Sequence, residues 1–301
     1  MSDRLAVLPQ YLLPKQALTR LAGRFARARA GGLTHWAIRR FVARYRVDLA
    51  EAQASRPEDY ASFNDFFTRP LREGARPQAQ ADFLCPVDGA ISQFGRIERD
   101  QIFQAKGHRY STQALLGGDA ALAARFEDGL FATLYLSPRD YHRIHMPCNG
   151  RLLRMVHVPG ELFSVNPTTA RGVPGLFARN ERVVCVFEAD DGRPFVLTLV
   201  GATIVGSMAT VWHGVVNPPR PGALREWRYE QAAQPIALKK GEEMGRFLLG
   251  STVVLLFPSA TFDFNPAWAP GRSLRMGEAM GQGRLTPTSS NLHSAPDAPL
   301  P

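Results

Sequence analysis

Cysteine is scarce in this chain of 301 residues: Cys85, Cys148 and Cys185 are all there are, odd in number and widely spaced. That excludes a disulfide scaffold and fits a reducing compartment. No CxxC and no paired Cys/His block occurs, so no structural zinc site is expected. Glycine and proline show no period and hydrophobic residues make up 45%, which excludes a collagen-like or wholly disordered chain. No secretory signal is expected, because Pro9 and Pro14 interrupt the first apolar residues and no small-residue cleavage site follows. No membrane span is expected either. Phe195 to Trp212 carries no charge, but Thr198, Gly201, Thr203, Gly206, Ser207 and Thr210 give it strand composition, which predicts two buried strands. Acidic residues are nearly missing from the first fifty positions, where ten Lys and Arg face only Asp3 and Asp48. Of the net charge of +9, residues 51–301 therefore carry only +1. So localised a charge argues against a nucleic-acid surface, which needs aromatic and basic residues interleaved on a sheet face.

What is present at the front is amphipathic. Leu18, Leu21, Phe25 and Ala28 recur at helical spacing between Lys15 and Ala30, with Arg20, Arg24 and Arg27 mostly off that stripe. After Gly31 and Gly32, Ile38, Phe41, Val42 and Tyr45 repeat the pattern. Two basic amphipathic helices joined at a glycine pair suit either a helical hairpin packed on the core or a surface lying on an anionic bilayer. Downstream, the apolar runs 130–136, 152–158, 183–187 and 252–257 read as strands, with Asp191-Gly192 as a tight turn. The expected fold is α+β, a β-rich core with amphipathic helices gathered at the N-terminus.

Candidate chemistry centres on Asp140-Tyr141-His142-Arg143-Ile144-His145-Met146-Pro147. His142 and His145 are spaced to share a metal on one helical turn, but Pro138 and Pro147 make a helix there improbable, which disfavours a metal-dependent hydrolase. Asp88, in Pro86-Val87-Asp88-Gly89, and Ser251, in Leu249-Gly250-Ser251-Thr252, are candidate partners: an Asp orienting a His that takes a proton from a Ser is recognised by roles rather than chain order. Ser251 lacks the Gly-x-Ser-x-Gly elbow of a hydrolase. Gly250-Ser251 instead offers a flexible carbonyl directly before a hydroxyl, at the mouth of an apolar strand.

These residues stand in a longer pattern. It runs from Ser62-Phe63-Asn64-Asp65-Phe66-Phe67 through Pro86-Val87-Asp88-Gly89 and Lys106-Gly107-His108 to Tyr135-Leu136-Ser137-Pro138-Arg139-Asp140-Tyr141-His142-Arg143-Ile144-His145. Phe163-Ser164-Val165-Asn166, Leu176-Phe177-Ala178-Arg179-Asn180-Glu181-Arg182, Val200-Gly201-Ala202-Thr203 and Gly245-Arg246-Phe247 extend it to Leu249-Gly250-Ser251-Thr252. In this order, over about residues 10–260, the chain resembles the bacterial, pyruvoyl-dependent phosphatidylserine decarboxylases.

The resemblance implies a hybrid barrel-sandwich-like core and a proenzyme that cuts itself between Gly250 and Ser251. Ser251 would attack the Gly250 carbonyl, with His145 as base and Asp88 fixing its tautomer, and elimination and hydrolysis would leave a pyruvoyl group in place of Ser251. That group would form a Schiff base with phosphatidylserine and act as electron sink while CO2 leaves, with no metal and no pyridoxal phosphate. His142 would return the proton, and Ser164 would help line the head-group site. The implied divisions are a membrane-docking segment at 1–60, a catalytic core at 61–265 and a disordered tail at 266–301. The implied partners are phosphatidylserine, an anionic membrane on the cytoplasmic face of the inner membrane, and the two products 1–250 and 251–301 in one heterodimer, itself open to further dimerisation. A pyruvoyl decarboxylase of another serine-headed lipid fits the same residues. An anionic lipid substrate also favours the docking reading of the helices, each basic residue near such a surface contributing about 1 kcal/mol.

Overall fold

The computed structural model describes residues 3–204, 207–218, 220, 222–249 and 252–283. Three helices open the chain: α1 (Asp3–Leu12), α2 (Lys15–Arg27) and α3 (Gly32–Tyr45), followed by a short α4 (Phe63–Phe67). Ser62 starts α4 by accepting the Asp65 backbone N–H at 3.1 Å, which satisfies one of the amides a helix start leaves open. Eleven strands then position the site. In chain order they are β1 (Gly89–Arg96), β2 (Leu130–Tyr135), β3 (Arg143–His145), β4 (Gly150–Val158), β5 (Arg182–Glu188) and β6 (Pro194–Val200). After them come β7 (Met208–Thr210), β8 (Arg225–Arg228), β9 (Glu243–Phe247), β10 (Thr252–Phe257) and β11 (Ser273–Leu274).

The main sheet is antiparallel, in the order β8-β4-β5-β6-β10-β2-β1-β11, with Ala237–Leu238 also pairing β4. It stays open instead of closing into a barrel. A smaller sheet holds Gly214–Val215, β7, β9 and β3. Alternation along the central strands sorts their side chains onto two faces. Val253 and Leu255 of β10 pack with Leu134, Leu197 and Cys185 against Ile144, Met208, Met244 and Phe247 of the smaller sheet. Val254 and Leu256 face the other way, into a second cluster with Val184, Val196 and Phe163 that also takes Val7 of α1. All six residues of β10 are buried. A strand covered on both faces reads as a continuous apolar run, and each buried aliphatic side chain contributes about 1.5–3 kcal/mol.

The expected strands 130–136, 152–158, 183–187 and 252–257 fall on β2, β4, β5 and β10. The uncharged run 195–212 is two strands, β6 and β7, with Gly201 just beyond the first. The second and third helices occupy the two amphipathic segments. One element and one boundary differ from expectation. α1, which carries Pro9 inside it, is not among the expected helices. Asp3 pairs with Arg171 at 3.1 Å and with Lys106 at 2.6 Å. Val7 is 2% exposed against Gly172, where a Cβ would come within 2.8 Å of the Asp3 carbonyl oxygen. Those tertiary contacts override a weak local propensity. The tail also starts later than residue 266. Trp268, Leu274, Met276 and Met280 are buried, and Ala279–Gly283 pairs with both Phe83–Leu84 and Phe262–Phe264. Residues 284–301 lie outside the described residues.

Candidate active site

Asp88 sits at the start of β1, where Gly89 lets the chain pass directly over β2: a Cβ at position 89 would run into the carbonyl oxygen of Tyr135. The Asp88 side chain is 9% exposed. It accepts from Arg76 Nε at 2.9 and 3.1 Å and from the Met276 backbone N–H at 2.8 Å. Arg76 also reaches Glu51 at 2.7 Å, and between two carboxylates its guanidinium is held well above its ordinary value despite burial.

His145 ends β3, whose backbone ties it to the Asp88 segment: its N–H donates to the Pro86 carbonyl at 2.8 Å. Its Nδ1 is 2.8 Å from the Gly241 carbonyl oxygen. A carbonyl can only accept, so Nδ1 carries the hydrogen and the neutral ring keeps its lone pair on Nε2. Nε2 accepts from the Tyr141 hydroxyl at 3.1 Å. Burial pulls the His145 pKa down, opposed by the hydrogen bond to Gly241, so the ring rests in the form a general base requires. Asp88 and His145 thus occupy one neighbourhood without a direct hydrogen bond. The tautomer expected to depend on Asp88 is set here by the Gly241 carbonyl.

His142 has no exposure. Its Nδ1 donates to the Asp140 carbonyl at 2.7 Å, and its ring lies 4.1 Å from the Phe67 ring. Nε2 is sealed from solvent with no partner among the described residues. Burial pushes its pKa down to about 3, so His142 is neutral and presents an unused lone pair. Such an atom normally finds a partner inside a protein, so this lone pair is open to a hydrogen-bond donor.

Two cavities share Tyr135 in their linings, and neither His142 nor His145 is among the residues that line them. A polar one of about 680 Å³ is lined by Asp88, Arg69, Arg76, Asp140, Tyr141 and Tyr135. An apolar one of about 180 Å³ is lined by Phe41, Tyr45, Phe67, Ser164, Leu249 and again Tyr135. Tyr135 is the cross-strand neighbour of Thr252, the first described residue after the expected cut. Gly250 and Ser251 themselves lie outside the described residues. Ser164 is fastened by its N–H to Gln10 Oε1 of α1 at 2.9 Å. Among the described residues no three His, Cys, Asp or Glu side chains gather as a metal site. Sequence reasoning missed Arg76, Tyr141 and Gly241. Tyr141 lies inside the quoted motif and was readable as a hydroxyl beside two histidines, whereas a backbone carbonyl leaves no signature.

Two neutral buried histidines close to a cavity lined by charged residues and to one lined by apolar residues are groups able to move a proton beside a mixed polar and apolar surface. The comparisons with known proteins give the family. The phosphatidylserine decarboxylase family model matches residues 63–282, and a second model, described as PSD, matches residues 5–46. Among curated proteins, the chain is 74% identical over 281 residues to the phosphatidylserine decarboxylase proenzyme of Dechloromonas aromatica, covering 93% of this chain and 99% of the relative. The proenzyme of Azoarcus sp. is likewise 74% identical, with 93% and 96% covered, and that of Variovorax paradoxus is 74% identical over 280 residues, with 93% and 98% covered. The chain belongs to the phosphatidylserine decarboxylase family.

Proposed function

We propose that this protein is a self-cleaving, pyruvoyl-dependent phosphatidylserine decarboxylase that works at a membrane surface and yields phosphatidylethanolamine and CO2. The observation that carries the reading is that a polar and an apolar cavity share Tyr135, beside Thr252, in their linings. A lipid seated there places its head group against Asp88 and Tyr141 and its first methylenes against Phe41, Phe67 and Leu249.

Self-cleavage separates residues 1–250 from 251–301. Ser251 gives its proton to Nε2 of His145, which must first release the Tyr141 hydroxyl, while Gly241 holds Nδ1–H. Asp88 acts through its negative field, which favours the imidazolium. The residues suit a carbonyl prosthetic group at position 251, because Nε2 of His142 and Oγ1 of Thr252 are both sealed and without a partner among the described residues. A pyruvoyl group there supplies the electron sink for loss of CO2. The chain's part is acid–base. Nε2 of His142 is assigned the delivery of a proton to the carbon that has lost CO2. Ser164 lines the lipid side. The decisive test combines intact mass with lipid analysis: two chains, the smaller blocked at its N-terminus, and phosphatidylethanolamine formed from phosphatidylserine vesicles. Full activity in an uncut chain would sink the reading.

Docking is assigned to residues 1–60, the catalytic core beginning after them, on the cytoplasmic face of the inner membrane. No helix among the described residues is long and apolar enough to cross a membrane. The front helices instead expose Leu12 at 88%, Leu21 at 66% and Trp36 at 58%, with Phe25 and Leu33. Replacing Arg20, Arg24, Arg27, Arg39, Arg40 and Arg44 with Gln should lower binding to anionic vesicles by at least tenfold, each charge contributing about 1 kcal/mol at most. Self-cleavage and turnover of a short-chain soluble substrate should survive. Wild-type binding should fade in 1 M salt, where the Debye length is about 3 Å. Unchanged sedimentation with anionic vesicles would move the docking surface elsewhere.

A further inference from the structure

Arg69, just beyond α4, is only 3% exposed. Its Nη2 donates to the Arg139 carbonyl at 3.2 Å, but Nε and Nη1 are sealed and without a partner among the described residues. The other side of the guanidinium is covered by the Phe66 ring, 5.5 Å away. Of the four other arginines that line the same polar cavity, Arg46 is exposed and the remaining three have carboxylate partners. Arg76 pairs with Asp88 and Glu51, Arg275 with Glu51 and Arg139 with Asp140. Arg69 has no carboxylate within ion-pair distance among the described residues. A guanidinium that is buried, fork-shaped and half unused is matched chemically by an oxyanion with two oxygens in one plane. Ser137 lines the same cavity, and its Oγ is sealed, facing the Asp140 carboxylate as its one polar neighbour among the described residues.

The geometry points to Arg69, assisted by Ser137, as the oxyanion-binding residue of the head-group cavity, taking two oxygens of the phosphoserine head group. This rests on the decarboxylase reading and names what holds the head group. The oxygens belong either to the serine carboxylate or to the phosphodiester. The carboxylate disappears in the reaction, so a carboxylate subsite favours substrate over product, whereas a phosphate subsite holds both alike.

The test uses the processed enzyme on mixed micelles of phosphatidylserine, with glycerophosphoserine and glycerophosphoethanolamine as soluble competitors. Arg69→Met should raise KM at least tenfold and change kcat less. Arg69→Lys should restore only part, because a point charge cannot replace the fork. Ser137→Ala should raise KM by a few fold. If the carboxylate is held, Arg69→Met loses inhibition by glycerophosphoserine and keeps that by glycerophosphoethanolamine; if the phosphate is held, both weaken together. Should Arg69→Met not fold, as judged by its melting curve, Arg69→Lys and Ser137→Ala carry the same comparison. Wild-type KM and wild-type inhibition by both competitors in folded variants overturn the subsite. Failure of wild-type enzyme to decarboxylate phosphatidylserine overturns the decarboxylase reading instead, and glycerophosphoserine binding to wild type and variants, read by calorimetry, still decides the subsite.

Discussion

Ser251→Ala protein should remain a single chain of 301 residues and release no CO2 from phosphatidylserine, the largest effect any single substitution is expected to have. The reason is chemical. The cut requires an acyl shift from nitrogen to the oxygen of residue 251, and alanine has none, so neither the break nor the carbonyl group can form. The fold should survive, because β9 and β10 on either side are held by their own ladders: Thr252 to Phe257 pair with β2 along their whole length, and Gly245 and Arg246 pair with β3. Ser251→Cys retains a nucleophile and should cut slowly through sulfur. The readout is intact mass after prolonged incubation, alongside a melting curve. A Ser251→Ala chain processed at the wild-type rate would place the cut elsewhere.

The residues that make such predictions possible were legible to different degrees, for physical reasons. β10 announced itself because burial on both faces requires an unbroken apolar run. The site histidines stood out because two titratable rings near each other between prolines are rare in a chain with seven histidines. What was hidden are the groups that act on them. Arg76 stands 12 positions from Asp88, and the Gly241 carbonyl stands 96 positions from His145. Pairings at that range are products of the whole fold. The difference changes how Asp88→Asn should be understood. The substitution leaves the His145 tautomer in place and leaves Arg76 with a neutral amide where a carboxylate was. Its effect on cleavage therefore arises from lost charge beside His145 and from a disturbed ion-pair cluster. α1 was hidden for the same reason, since Asp3 is held by Lys106 and Arg171, 103 and 168 positions away.

The second large effect separates the two histidines. His142→Gln should still be cut, at least in part, but its turnover of phosphatidylserine should fall by about 10²–10⁴, the range by which a positioned acid–base group accelerates a reaction. His145→Ala should do the reverse at the first stage and accumulate uncut chain. The assignment follows from where each lone pair is committed. Nε2 of His145 is engaged with Tyr141, a partner that can yield to a second hydroxyl, whereas Nε2 of His142 has no partner among the described residues and sits behind Phe67, beside the lipid cavity. The pH dependence carries a second, independent sign. Because burial holds His142 near pKa 3, the folded enzyme keeps this ring neutral down to strongly acid pH, while the unfolded chain binds a proton there below about 6.5. Unfolded protein therefore takes up more protons between those values, and stability must fall as pH drops through that window. His142→Gln removes the titrating group and should flatten this part of the stability profile in urea melts at pH 7, 5.5 and 4.5. Turnover of the wild type should show no loss near pH 6.5 from this residue, since the free enzyme already holds the base form. A His142→Gln chain that stays uncut while His145→Ala is cut and slow would exchange the two roles, and an unaltered pH profile of stability would show that His142 is not the buried neutral ring on which the assignment depends.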